Sequence, residues 1–597
     1  MTPGFIESLN TSAAKTYRQI LKSEGESALW DLWKDQLDKR TYEFDLAAYR
    51  VMLDCGVPSI CNFLSAACDL ADIRANKIIK SIDSWFAKFE SLVLEMNAAD
   101  EPGTVTADNV LYSQLLGELG LLLGTLFPEF KSAQKAENKG REILAEGLAD
   151  LLDGAGLPES ENFFLLRPLL ACWTRCQIIG KMSGTLPWKS KSQEHFEWAV
   201  LQTLRFTRKD GSQIFSRLFT KPADGKKIKD DEILRFSEIV MQSLAFDADL
   251  SDKEVAQIVY PTRKKISSRK SNDAETVLPP PQYFSDWSKV AMLRAGWNHG
   301  DPSLSILYGV MPGLVRNTNS DTVGIPFGGW SDSKMLAELN CKNRTIFSGI
   351  WNVSILKNEK PLIALDNWTP TCEIDEPTYN YFELQCNLSG DYCLQRHFFL
   401  LADEGLLMLA DSVLPCRTNR KTSVSCNSVD TIRYESRIPI LQTIVDVPGE
   451  NNATERVLLD TTDKRTPLVR ILPLGLPEWS DEGFTGKLQV EDGSLVLRQN
   501  GGGNAIFAPL LFDFNTTASR YPYTWRRLTV GEKLAKVSND QAVGFRIQLC
   551  KKLYLLYRSL TESKNRTVLG HNLVSDLFFG RFDKNKGVEK ILEVEEE

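Results

Sequence analysis

The feature that most constrains this chain is a change in the period of its apolar residues. Up to about residue 260 they recur at helical spacing, and beyond Phe284 they come in short β-branched and aromatic runs broken by Gly, Pro, Asn and Asp. A helix buries one face every 3.6 residues or so and a half-buried strand every second residue, so one pattern does not serve for the other. The 597 residues therefore divide into an all-helical half and an all-β half, and a chain this long exceeds a single core.

In the first half the spacing predicts helices over 14–21, 44–53, 72–96, 107–126 and 136–152. Further helices are expected at 161–179, with Pro168 as a kink or break, and at 193–206, 231–245 and 252–259. Within 72–96, Ile78, Ile82, Trp85, Phe89, Leu92 and Met96 form one stripe. Residues 263–281, RKKISSRKSNDAETVLPPP, read as an exposed linker with a stiff, proline-rich end. The expected organisation is a helical domain over 1–260, a linker over 261–283 and an antiparallel β domain over 284–597.

In the second half, strands are expected at 290–294, 303–310, 345–355, 379–388, 393–401, 406–413, 468–472, 495–497, 505–514, 542–549 and 552–559. Phe398, Phe399, Leu400 and Leu401 form an unbroken apolar run, which suits a strand covered on both faces. Asp403-Glu404-Gly405 then reads as the turn into the next strand.

Charge and motif content narrow the function. With 70 basic against 78 acidic side chains the chain has no general positive field for nucleic acid or an anionic membrane. The most apolar run, Leu115 to Phe127, carries Glu118 and is too short to span a bilayer. The N-terminus MTPGFIESLNTSAAKTYRQ lacks the basic and apolar regions of a secretion signal, so a cytoplasmic location is expected. Cys172 and Cys176 share a helix face, yet a zinc site needs about four ligands. No metal and no cofactor is expected. Nucleophile elbows, phosphate loops and His-Glu-x-x-His helices are absent from the sequence.

Four histidines are present. His195, His397 and His571 read as structural, because no second titratable partner is in view. His299 differs, lying in the turn-forming hexapeptide Trp297-Asn298-His299-Gly300-Asp301-Pro302 between two predicted strands at the seam of the halves. Loops on rigid scaffolds build sites, although a plain hairpin turn explains the same residues. Later, Tyr521-Pro-Tyr523-Thr-Trp525-Arg526-Arg527 concentrates aromatic and arginine side chains. Such groups stack on sugar rings and fork onto carboxylates or sulfates, or fill a sheet core.

Two segments carry a resemblance. Leu293-Arg294-Ala295-Gly296-Trp297, and the stretch from Gln395-Arg396-His397-Phe398 through Leu406-Leu407-Met408-Leu409-Ala410-Asp411, are similar to segments of the heparinase II/III-like polysaccharide lyases. The resemblance implies an N-terminal (α/α) toroid followed by a C-terminal antiparallel β-sandwich. It also implies β-elimination on an acidic polysaccharide. Tyr308 would then be the base or acid with His299 beside it, and Arg294, Trp297, Asn298, Arg316 and Asn317 would hold the substrate. One departure stands against catalysis: residues 313–324 hold no His where the family carries a His-x-His-x-Asp-like segment. A catalytically inactive carbohydrate-binding or scaffold protein of the same architecture is the alternative.

Overall fold

The computed structural model describes residues 3–53, 62–73, 78–97, 107–208, 210–215, 239–240, 242–247, 249–259, 277–298, 300–309, 335–416, 430–448, 453–462, 467–480, 486–515, 523–583 and 587–595. Two compact units emerge, one built from the described residues up to Pro279 and one from those from Pro280 onward.

The first unit holds eleven α-helices among the described residues: α1 (Pro3–Ser8), α2 (Thr11–Ser23), α3 (Gly25–Glu43), α4 (Leu46–Leu53), α5 (Phe63–Ala71), α6 (Ile82–Asn97), α7 (Ala107–Leu126), α8 (Lys131–Asp150), α9 (Leu166–Ser183), α10 (Ser190–Arg205) and α11 (Leu250–Val259). The predicted helix over 72–96 begins only at Ile82, because Ser81 Oγ accepts from the Ser84 amide at 3.2 Å and caps the first turn. Pro168 neither kinks nor breaks α9; it falls in the first turn, where a missing N–H costs nothing. Helix α3 was not expected from the sequence, since its buried residues, Leu29, Trp33 and Leu37, form only a thin line.

Helix α7 is apolar nearly all round and accordingly buried. It lies backbone to backbone against α8. A methyl group on Gly140 would stand 2.5 Å from the Gly117 carbonyl oxygen, and one on Gly120 would stand 2.4 Å from that of Ala136. Glu118, a fully buried charge on α7, accepts from Arg175 at 2.6 and 2.7 Å and from the Tyr49 hydroxyl at 2.7 Å. Near the N-terminus an aromatic cluster joins α1, α3 and α6 through Phe5, Trp33 and Trp85, with Trp33 and Trp85 edge to face at 5.1 Å. Before and within α11 sit Asp247 and Asp252, both buried. Burial first, and then the charge of Asp252, pushes the Asp247 carboxyl up to about 8, whereas burial and the charge of Asp249 push that of Asp252 up to about 6.

Among the described residues, every strand pairing in the second unit is antiparallel. Its eight-stranded sheet runs Ile444–Pro448, Arg456–Asp460, Pro467–Pro473, Ile506–Asp513, Leu406–Pro415, Tyr392–Leu401, Tyr379–Leu388, Thr369–Glu376. Both faces are covered. Phe398 and Leu400 join one core with Leu304, Ile306 and Ile355 from other sheets, whereas Phe399 and Leu401 join another with Phe545, Leu556 and Phe579. The unbroken apolar run at 398–401 thus reflects two cores meeting at one strand. The expected strand over 345–355 is two, Arg344–Ile350 and Asn352–Lys357, which enter different sheets on either side of Trp351.

Candidate functional site

Strands Val290–Arg294 and Ser303–Leu307 form a hairpin with Val290 opposite Leu307 and Arg294 opposite Ser303. All residues of the second strand are buried, so the hairpin is a fixed support for its turn. The turn closes on its own groups. The Ala295 amide donates to Pro302 O at 3.1 Å, the Asp301 amide to Asn298 O at 3.2 Å, and the Asn298 amide to Asp301 Oδ2 at 3.0 Å. A Cβ on Gly296 would stand 2.4 Å from Asp301 Oδ2 and push that carboxylate away from the Asn298 amide.

Arg294 is half-buried, with its guanidinium 4.7 Å from the Trp297 ring centre and Nε donating to Gly296 O at 2.9 Å. Trp297 is itself buried, and Asn298 is exposed. An indole therefore holds a guanidinium beside an exposed amide on an ordered turn, an arrangement suited to a carboxylate.

Tyr308 lies at the other end of the hairpin. Its amide donates to Lys289 O at 2.9 Å, one residue beyond the Val290–Leu307 pair. Five residues at about 3.4 Å each place it roughly 17 Å along the hairpin from Arg294 and the turn. The ring packs 5.8 Å from Phe382, and the buried hydroxyl donates to Ser285 O at 3.2 Å. Burial first, then the charges of Asp286 and Glu373, push this phenol well above its ordinary pKa, so it stays protonated at neutral pH. Arg294, Trp297 and Asn298 are thus brought together, and Tyr308 is not among them. His299, Arg316 and Asn317 lie outside the described residues.

The network that sequence reasoning passed over surrounds His397. Its Nδ1 is 3.1 Å from Glu383 Oε2 and 2.9 Å from the Tyr381 hydroxyl, and its Nε2 is 2.9 Å from Ser412 Oγ. Burial holds the imidazole below its ordinary pKa. Burial opposes the charge on Glu383 too, yet hydrogen bonds from His397 and Tyr381 and the nearby Arg558 keep that carboxyl ionised. The order serine, histidine, carboxylate matches that of hydrolases. Here His397 and Ser412 are completely buried, so no substrate reaches them and the network is structural. The partner was legible: a hairpin centred on Gly390 sets His397 opposite Glu383.

On the other face of the same strand, Arg396 donates to Asp411 through Nε at 2.8 Å and Nη2 at 2.9 Å. Its guanidinium lies 3.8 Å from the Trp351 ring and 5.0 Å from that of Trp368, and the Tyr434 hydroxyl adds a 2.6 Å bond to Asp411. Among the described residues no group of three or more His, Cys, Asp or Glu is placed to hold a metal ion. No helix among them is long and apolar enough to cross a membrane.

No protein-family model and no curated protein matches the chain by sequence. Solved structures do match in fold. A heparinase III is similar over 83% of this chain and 74% of its own, with a TM-score of 0.55 and 11% identity. The heparan sulfate lyase HepC of Pedobacter heparinus is similar over 92% of this chain and 82% of its own, with a TM-score of 0.53 and 9% identity. At these identities the likeness is one of fold.

Proposed function

We propose that this chain is a polysaccharide lyase-like protein, a helical toroid joined to a β-sandwich, that acts on an acidic, uronate-containing polysaccharide by β-elimination. The observation that supports the reading is the likeness in fold, over most of the chain, to two glycan lyases. In β-elimination a base takes the C5 proton of the uronate, the electron pair forms the C4–C5 double bond, and the C4–O bond breaks as its oxygen gains a proton. Neutralising the uronate carboxylate makes the C5 proton acidic enough to leave. Arg294 and Asn298 supply that neutralisation in this reading, with Trp297 orienting Arg294 from within the fold. His299, next to Asn298 in sequence, is the base. Arg316 and Asn317 extend the substrate contacts.

The position of Tyr308 favours a second reading. A phenol that is buried, protonated and bonded to Ser285 O is poorly placed to exchange protons with a sugar held at the 295–302 turn. With residues 313–324 free of His, a non-catalytic protein that binds acidic glycans through the same architecture is the alternative. Ultraviolet absorbance of the unsaturated uronate product separates the two, using heparan sulfate, chondroitin sulfate, hyaluronan, alginate and ulvan in turn. A rise that disappears in His299→Ala supports elimination at the turn. No rise on any glycan, with binding retained, supports the second reading.

A further inference from the structure

A second surface, away from the hairpin, carries the chemistry of an anionic sugar site. Strand Tyr523–Leu528 is the edge of the five-stranded sheet that continues through Ala542–Leu549, Lys552–Ser559, Leu577–Asp583 and Gly587–Val594. Alternation turns Trp525 inward and leaves Arg526 exposed, and the register sets Arg526 directly opposite Arg546, which is also exposed. Directly opposed like charges, with Cβ atoms about 5 Å apart, destabilise a strand pair. Among the described residues neither arginine has an acidic partner. The sheet thus sets two exposed arginines at directly opposed positions, neither paired with an acid among the described residues.

Along this edge runs an open groove of about 530 Å³ whose other wall is formed by residues 474–479. Trp479 stands in it 53% exposed. The wall is firmly tied to the strand. The Trp525 indole donates to Leu476 O at 2.8 Å, its amide donates to Glu478 Oε1 at 2.7 Å, and Arg527 Nη2 donates to Gly475 O at 2.7 Å. Glu478, the one acid of the groove among the described residues, is thereby turned onto backbone.

We propose that this groove binds a segment of an acidic oligosaccharide, with a sugar ring against the face of Trp479 and a sulfate or carboxylate on Arg526 at the groove wall, extending to Arg546 on the neighbouring strand. An exposed indole offers a flat apolar face that fits the C–H face of a pyranose, and guanidinium forks match sulfate and carboxylate oxygens. An anion there also removes the repulsion between the two arginines. The inference rests on the glycan class proposed above but not on its chemistry, since the groove supplies grip and no base.

The test uses the full chain, titrated by calorimetry and tryptophan fluorescence with a size-defined heparin oligosaccharide, a neutral cello-oligosaccharide, inorganic sulfate and single-stranded DNA. The variants are Trp479→Ala and the double change Arg526→Gln with Arg546→Gln. The double variant is expected to lose at least about tenfold in heparin affinity, equivalent to about 1.4 kcal/mol. Its thermal midpoint without ligand should equal or exceed that of the parent, because the repulsion is gone. Trp479→Ala should weaken heparin binding several-fold while leaving inorganic sulfate unaffected. Heparin affinity unchanged in both variants, or DNA bound as tightly as heparin through the same arginines, overturns the proposal. If both variants keep parental heparin affinity while product still forms, this inference falls and elimination stands. If the groove binds heparin and no glycan yields product, the reverse holds.

Discussion

Replacing Asp411 by Ala tests what holds the centre of the β unit. Asp411 is fully buried and accepts two bonds from Arg396, itself 1% exposed, and one from the Tyr434 hydroxyl. Removing one partner of a buried ion pair costs about 3–5 kcal/mol, because the remaining charge stays buried without its counter-charge. Arg396 has no easy escape to water, being stacked between Trp351 and Trp368. The Tyr434 hydroxyl loses its acceptor as well, worth about 1–3 kcal/mol alone. The two losses share one carboxylate and do not add fully, so about 4–6 kcal/mol is expected. With a urea dependence near 2–3 kcal/mol per M, the midpoint of the β unit falls by roughly 2 M. Urea unfolding followed by near-ultraviolet circular dichroism reads this directly. The paired change Arg396→Met with Asp411→Leu should recover most of the loss, since it leaves no orphaned charge. A shift below about 0.5 M for Asp411→Ala would refute the reasoning and mean that Arg396 finds another way to be solvated.

Other expectations follow from single contacts. Tyr308→Phe removes one hydrogen bond to Ser285 O and should cost about 0.5–1.5 kcal/mol of stability, leaving any unsaturated product formed at the parental rate; a calorimetric scan and the ultraviolet assay check both. Gly140→Ala drives a methyl group into the Gly117 carbonyl and should destabilise the helical unit by about 1–3 kcal/mol, read by far-ultraviolet melting. Asp247 and Asp252 titrate higher in the folded chain than in the unfolded one. The unfolded chain therefore gives up protons first as pH rises, and the helical unit loses stability from about pH 4 until the upper carboxyl titrates near pH 8. Asp247→Asn should flatten that profile and raise the melting temperature at pH 8.

What was legible in the sequence was the period, and what was hidden was mostly pairing over distance. The helix 107–126 and strand 379–388 were read with their observed bounds, because an all-round apolar helix and a hairpin strand each announce themselves locally. Helix α3 escaped because buried residues at spacing four mark only a narrow line. Trp351 hid a boundary: an aromatic residue continues a strand pattern even where the chain passes from one sheet to another. At the candidate site, the cluster of Arg294, Trp297 and Asn298 was readable because a short turn keeps neighbours together. Tyr308 was added to it by closeness in sequence, and the hairpin register then carried it to the opposite end. For His397 the lesson is the converse, since its partner Glu383 is fourteen residues away in sequence and directly opposite in space.

The order of strands in the eight-stranded sheet also sets a timetable. Ile506–Asp513 pairs with both Pro467–Pro473 and Leu406–Pro415, with Leu406 opposite Asp513. A ribosome adding about 5–20 residues each second needs roughly 5–20 s to travel from one to the other. Through that interval the hairpin ending in Leu406–Pro415 is complete on one side and open on the other, an apolar edge waiting for a strand not yet made. Such an edge recruits whatever strand is nearest, including its copy on the next ribosome. How well that one edge is shielded until residue 513 arrives therefore bears on the chain's yield in a cell alongside the final stability of the sheet.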